Sequence, residues 1–148
     1  GVDPISRRNF WDLINELANE GITIFVTTHY LEEAEFCNNI ILINAGNLIA
    51  EGSSKKLKEE YIKQDIYEIE CDNIVEALNF LTDAEFVEET AVFGNKIHIG
   101  VNKLLTDKMM IEHYLNSKNI YNVKSSLITP SLEDVFIHLL EKENKNVK

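Results

Sequence analysis

Phe10, Leu13, Ile14 and Leu17 recur at the i, i+3, i+4, i+7 spacing of a single helical face. Asp3-Pro4 precedes that stripe as an N-cap and a first-turn proline, where the missing N–H costs nothing. Gly21 stands where a helix C-terminus accepts a left-handed residue. From Ile22 to Val26 the chain is β-branched and aromatic without polar alternation, which predicts a strand covered on both faces. Tyr30 to Phe36 reads as a short acidic helix. Ile40 to Ile43 and Leu48 to Glu51 then read as a hairpin joined by the turn residues Asn44-Ala45-Gly46-Asn47. Gly52-Ser53-Ser54 opens a polar helix that ends near Tyr61. Helix, strand, helix, strand, strand is the pattern of the last part of a larger α/β sheet.

Near Lys63 the pattern changes. Ile66, Tyr67, Ile69 and Cys71 predict a strand, Asn73 to Leu81 a helix, and Ala84 to Glu88 a second strand. Gly94-Asn95 turns the chain into Lys96 to Val101, followed by a helix at about 106–116 and a strand at 121–127. This β-α-β-β-α-β order predicts a split-βαβ, ferredoxin-like unit. A last helix opens at Pro130-Ser131 with Asp134 in the capping-box position, and Leu132, Val135, Phe136, Leu139 and Leu140 form its packing stripe. The tail from Glu143 is expected to fray. The expected division is residues 1–62 and residues 63–148, with Met109-Met110 as core filler.

Charge narrows the partners. The 148 residues carry a net charge of -11. Five basic and ten acidic groups lie in residues 1–62, and nine and fifteen in residues 63–148, so neither part has the basic footprint of a nucleic-acid surface. An acidic surface also disfavours adsorption to anionic lipid. No run approaches the roughly 18 apolar residues of a membrane span, so no direct membrane insertion is expected. Cys37 and Cys71 are isolated; the sequence allows a bridge between them, but two scattered cysteines are more often buried thiols in a reducing compartment. His98, His113 and His138 are far apart in sequence, and no metal site is expected from them.

His29 is the residue with chemical interest. It directly follows the apolar segment 22–26, and open α/β sheets bind ligands beyond the carboxyl ends of their strands. An imidazole there could donate a hydrogen bond to a phosphate oxygen.

The neighbours of His29 carry a resemblance. Thr27-Thr28-His29-Tyr30-Leu31-Glu32-Glu33-Ala34-Glu35 resembles the H-loop, or switch region, of ATP-binding cassette (ABC) transporter ATPases. Ile40 to Ile43, Gly46, Leu48 to Ala50 and Glu51-Gly52 resemble the strands and turn that follow it there, and Gly1-Val2-Asp3-Pro4 is similar to the family's D-loop. The likeness is continuous over residues 1 to about 62. It implies that His29 contacts the γ-phosphate and the attacking water. Asp3 would lie at the interface of a head-to-tail nucleotide-bound dimer, compatibly with its role as an N-cap. Glu32, Glu33 and Glu35 read as a solvated face near a helix N-terminus.

Thr129-Pro130-Ser131-Leu132-Glu133-Asp134-Val135-Phe136 is similar to a segment near the end of ATPase subunits of drug-, antibiotic- or lipid-exporter type, in which a small domain follows the cassette. The implied fold class is therefore α/β: a C-terminal fragment of a P-loop NTPase cassette sheet, followed by an α+β ferredoxin-like accessory domain. Phosphoryl transfer needs a backbone cradle, a lysine and a magnesium-binding acid. No GxxxxGK[ST] occurs in the sequence. The family's phosphate loop, magnesium-binding aspartate, catalytic glutamate and signature motif would all precede Gly1. The resemblance implies ATP and Mg2+ in the complete protein and no cofactor for this chain alone, which is expected to be inactive. The implied partners are a second ATPase subunit, as a homodimer, and a separate transmembrane permease that holds the protein at the cytoplasmic face of the membrane. The alternative is a non-catalytic regulatory module that binds a small molecule or a protein through residues 63–148.

Overall fold

The computed structural model of the protein describes residues 3–102 and 104–146, so Gly1 and Val2 of the first motif lie outside the described residues. It is a mixed α/β structure with two antiparallel sheets, one of two strands and one of four.

Helix α1 (Pro4–Asn19) starts where Asp3 and Pro4 predict. The Asp3 carboxylate accepts the N–H groups of Ile5 and Ser6 at 2.9 and 3.0 Å, pairing donors that a helix N-terminus otherwise leaves open. Burial departs from the predicted stripe. Phe10 and Leu13 are about half exposed, and Trp11, outside the stripe, is the buried residue of the helix, with its ring 5.4 Å from Phe36. Residues 22–26 are a correction. They run without strand pairing, and Phe25 is 84% exposed. A strand exists through its hydrogen-bonded neighbours, and no strand among the described residues lies beside this one.

Helix α2 (Leu31–Ala34) is a single turn, shorter than its acidic pattern predicts. Strands β1 (Ile40–Asn44) and β2 (Asn47–Gly52) form the expected hairpin, with Ala45 and Gly46 both at positive φ (48° and 81°), as a two-residue type I′ turn requires. Helix α3 (Ser54–Tyr61) follows, capped by the Ser53 hydroxyl.

The four-stranded sheet contains β3 (Asp65–Glu70), β4 (Val87–Phe93), β5 (Lys96–Val101) and β6 (Lys124–Ile128) in the order β4-β5-β3-β6. All neighbours are antiparallel. Helices α4 (Ile74–Thr82) and α5 (Lys108–Ser117) connect the strands. Alternation along the strands sends Tyr67, Ile69, Ile97, Ile99 and Val101 into a core shared with Ala77, Leu81, Ile111 and Leu115 of those helices. Two strands are displaced from their predicted positions. β4 starts three residues late, after a turn at residues 84–87, and carries a bulge between Val87 and Glu89. β6 also starts late, because Asn122 takes φ 52° and its amide binds both Asp72 carboxylate oxygens (3.0 and 2.8 Å). Met109 and Met110 are exposed, not core filler.

Helix α6 (Leu132–Asn146) continues past Glu143, whose carboxylate accepts the Asn44 amide at 2.9 Å, so the expected fraying there is replaced by a contact with the β1–β2 hairpin. Leu132, Val135 and Leu139 share a second core with Ala34, Ile40, Leu42, Ala50, Leu57, Ile62 and Ile66. The last helix thus packs against residues from both sides of position 62.

Candidate functional site

Thr28 organises the loop that presents His29. Its hydroxyl accepts the Tyr30 N–H at 3.0 Å and donates to Glu33 at 2.9 Å, a local turn that leads into α2. Glu33 also receives the Arg7 guanidinium at 3.1 Å, and the same guanidinium lies 5.0 Å from the centre of the Tyr30 ring. Arg7 is one helical turn beyond Asp3. It therefore ties the helix that Asp3 caps to the loop that carries His29, a link the sequence reading missed. A basic residue one turn after the Asp-Pro pair, with a carboxylate four residues after His29, was the available signal.

His29 itself is exposed, and its ring lies 4.1 Å from that of Tyr30. Its nitrogens make no hydrogen bond to the described residues. It borders an open groove of about 520 Å³ whose other walls include Leu31, Phe93, Gly94, Glu133 and Phe136. The β4–β5 turn and α6 therefore stand across this groove from His29. Asp3 is committed to the α1 cap: besides the two backbone groups, its second oxygen accepts the Ser6 hydroxyl at 2.7 Å. The Ser6 side-chain and backbone bonds hold this carboxyl below its ordinary pKa.

Glu32 is exposed as expected, but Glu33 and Glu35 correct the expectation of a solvated face. Glu33 is engaged as described. Glu35 pairs with Lys58 at 2.7 Å and accepts the Ser54 hydroxyl at 2.5 Å, joining α2 to α3. Burial alone would raise the Glu35 pKa, but the Lys58 and Ser54 bonds outweigh it and the net shift is downward.

A second polar cluster lies beneath α6, and sequence spacing did not reveal it. His98 Nδ1 is 2.8 Å from Asp134 and Nε2 is 3.2 Å from Glu68. Lys96 bridges Glu68 and Glu70 at 2.6 and 3.1 Å. His138 Nδ1 meets Glu89 at 2.5 Å. Asp134 also closes the predicted capping box, accepting the Ser131 N–H at 2.7 Å and hydroxyl at 2.8 Å. His98 on β5 and His138 on α6 are thus both buried between that helix and the sheet, whereas His113 is exposed on α5. Among the described residues no group of three or more His, Cys, Asp or Glu side chains is arranged to hold a metal ion. Cys37 and Cys71 are half-buried free thiols, and burial raises the pKa of both. No helix among the described residues is long and apolar enough to cross a membrane.

A hairpin behind a histidine loop, followed by a four-stranded antiparallel unit and a capped terminal helix, is an arrangement that comparison with known proteins assigns to a class. Residues 52–140 match the family described as ATP-binding protein DrrA1-3-like, C-terminal domain. The chain belongs to this family of ABC transporter ATP-binding proteins. It is 31% identical over 147 residues to the Nod factor export ATP-binding protein I of Cupriavidus metallidurans, covering 99% of this chain and 46% of that protein. The protein of the same name from Burkholderia pseudomallei is 31% identical over 144 residues, covering 97% of this chain and 45% of the relative. The probable multidrug ABC transporter ATP-binding protein YbhF of Escherichia coli is 48% identical over 60 residues, which are 40% of this chain and 10% of YbhF. The chain spans less than half the length of these relatives.

Proposed function

We propose that this chain is the C-terminal part of the ATP-binding subunit of an ABC exporter, and that it contributes the histidine that senses the γ-phosphate. In the complete protein, ATP binding closes two cassettes into a dimer and hydrolysis reopens them, while a separate transmembrane permease at the inner face of the membrane converts that motion into export. The observation that carries the reading is His29. It is an exposed imidazole whose nitrogens have no hydrogen-bond partner among the described residues, at the mouth of a groove, on a loop whose sequence resembles the family's switch. Such a group can donate one hydrogen bond to a phosphate oxygen.

Asp3 in this reading lies at the dimer interface. Its exposure supports that role, and its cap bonds fix the direction of its carboxylate. When bound, ATP with Mg2+ supplies the transferable phosphoryl group and the charge neutralisation. This chain's own share is His29's single donor and the fixed loop around it. Without a phosphate cradle or a magnesium-binding acid of the family's type, the chain alone is inactive in this reading.

Residues 1–62 form the end of the cassette in this reading, and residues 63–148 the accessory domain. Segment 22–26 would then pair within the cassette sheet. A ferredoxin-like assignment for the accessory domain is supported by its βαββαβ element order and by the strand order β4-β5-β3-β6 with every pair antiparallel. The Nod factor and multidrug names of the relatives favour export as the direction.

The test is the steady-state kinetics of a full-length ATP-binding protein carrying this chain. His29→Ala should lower kcat for ATP hydrolysis by about 10²-fold, the usual effect of removing one donor aimed at developing charge. Unchanged turnover would remove His29 from the site.

A further inference from the structure

We propose that His98 is a proton-binding latch that fastens the C-terminal helix α6 to the four-stranded sheet, so that loss of one proton loosens the helix.

The geometry requires an unusual imidazole. His98 is buried, and each of its two ring nitrogens faces a carboxylate oxygen: Asp134 on α6 at 2.8 Å and Glu68 on β3 at 3.2 Å. A neutral imidazole has one N–H, so one carboxylate would face a bare lone pair; an imidazolium donates to both. Only the charged form satisfies sheet and helix together. The ring of Phe93 stacks on His98 with centroids 4.1 Å apart, holding the imidazole in the plane that reaches both partners.

The surrounding charges favour the proton. On the same face, β3 contributes Glu68 and Glu70, β5 Lys96, β4 Glu89 and β6 Lys124, which pairs in register with Glu70. From α6 come Asp134 and His138, the latter held by Glu89. Lys96 occupies one oxygen of Glu68 and leaves the other to His98. Carboxylates outnumber cations around the ring. Burial by itself would lower the His98 pKa, but the bond and charge of Asp134, then those of Glu68, overcome it and the net shift is upward. Asp134 moves in the complementary direction: its burial is outweighed by the His98 and Ser131 bonds, and its pKa falls.

These directions set a pH window. A group whose folded pKa is raised stabilises fully below its unfolded value, and that contribution disappears as pH rises through the folded value. His98 therefore releases α6 on the alkaline side. Asp134 and Glu68, both lowered, contribute above the ordinary carboxylate range and fail only as pH falls through their depressed values. The helix being latched carries Leu132, Val135 and Leu139, so its release would uncover part of the core beneath it.

The test uses the 148-residue chain, following the His98 ring and the α6 backbone amides by NMR from about pH 5 to about pH 9. The expected result is a His98 titration above the ordinary histidine range. Exchange of the 135–140 amides, corrected for intrinsic rates, should accelerate about tenfold or more across it, since one pKa unit is a factor of ten. Asp134→Asn keeps an oxygen for the cap but removes the charge; it should lower the His98 titration and move the exchange transition to lower pH with it. His98→Gln should remove the transition. A titration at or below the ordinary range, or α6 exchange that ignores it in both the native chain and Asp134→Asn, would overturn the latch.

Discussion

Asp134 gives its two oxygens two separate tasks. One closes the cap on α6 and the other binds His98. The first task is written locally, because Ser131 and Asp134 have the spacing of a capping box. Ser131→Ala should therefore cost about 1 kcal/mol, read as a shift in the urea midpoint at constant m-value. No shift would mean that tertiary packing alone holds the helix start. The second task joins residues on different elements, and no local pattern announces it. Strand parity does say that His98 faces away from Ile97 and Ile99 and hence from the main core. What it cannot say is that α6 returns to cover that face. His29 is the opposite case: its interest lay in its neighbours in sequence, and the structure adds Arg7 as the link back to α1.

Elements whose signals are local were legible. Capped helices at Pro4, Ser54 and Leu132 and the hairpin turns at Ala45-Gly46 and Gly94 follow from side-chain caps and from residues that tolerate positive φ. Elements that depend on partners were not. Residues 22–26 have the composition of a strand but no strand partner among the described residues, so they stay outside both sheets. The start of β6 is set by the Asn122–Asp72 contact, which joins residues fifty positions apart. The predicted strand stopped at Glu88, whereas pairing with β5 carries β4 on to Phe93, and Glu89 within it meets His138 from α6. Met109 and Met110 show the same limit in reverse, since apolar character by itself does not say which face is covered.

At the scale of the molecule, the two cores lie on opposite faces of β3: Ile66 packs with α6 in one, and Tyr67 and Ile69 pack with α4 and α5 in the other. Helix α6 packs against residues from both sides of the expected division near residue 62, and its Glu133 and Phe136 line the groove that His29 borders. The N-terminal third exposes Phe10, Leu13, Ile22, Phe25 and Phe36, and the hairpin exposes Ile43. Apolar surface of this extent beside an unpaired extended segment favours association. The isolated chain should self-associate in light scattering, and replacing Ile22 and Phe25 together by serine should shift it toward monomer. A monomer at all accessible concentrations would contradict this.

The proposed reading of the γ-phosphate by His29 is tested most directly by the His29 imidazole NMR signal in a full-length ATP-binding protein carrying this chain. Spectra would be compared with a non-hydrolysable ATP analogue and with ADP, each with Mg2+. The resonance should move with the triphosphate and stay near its ligand-free position with the diphosphate. An equal response to both nucleotides, or no response to either, would contradict it.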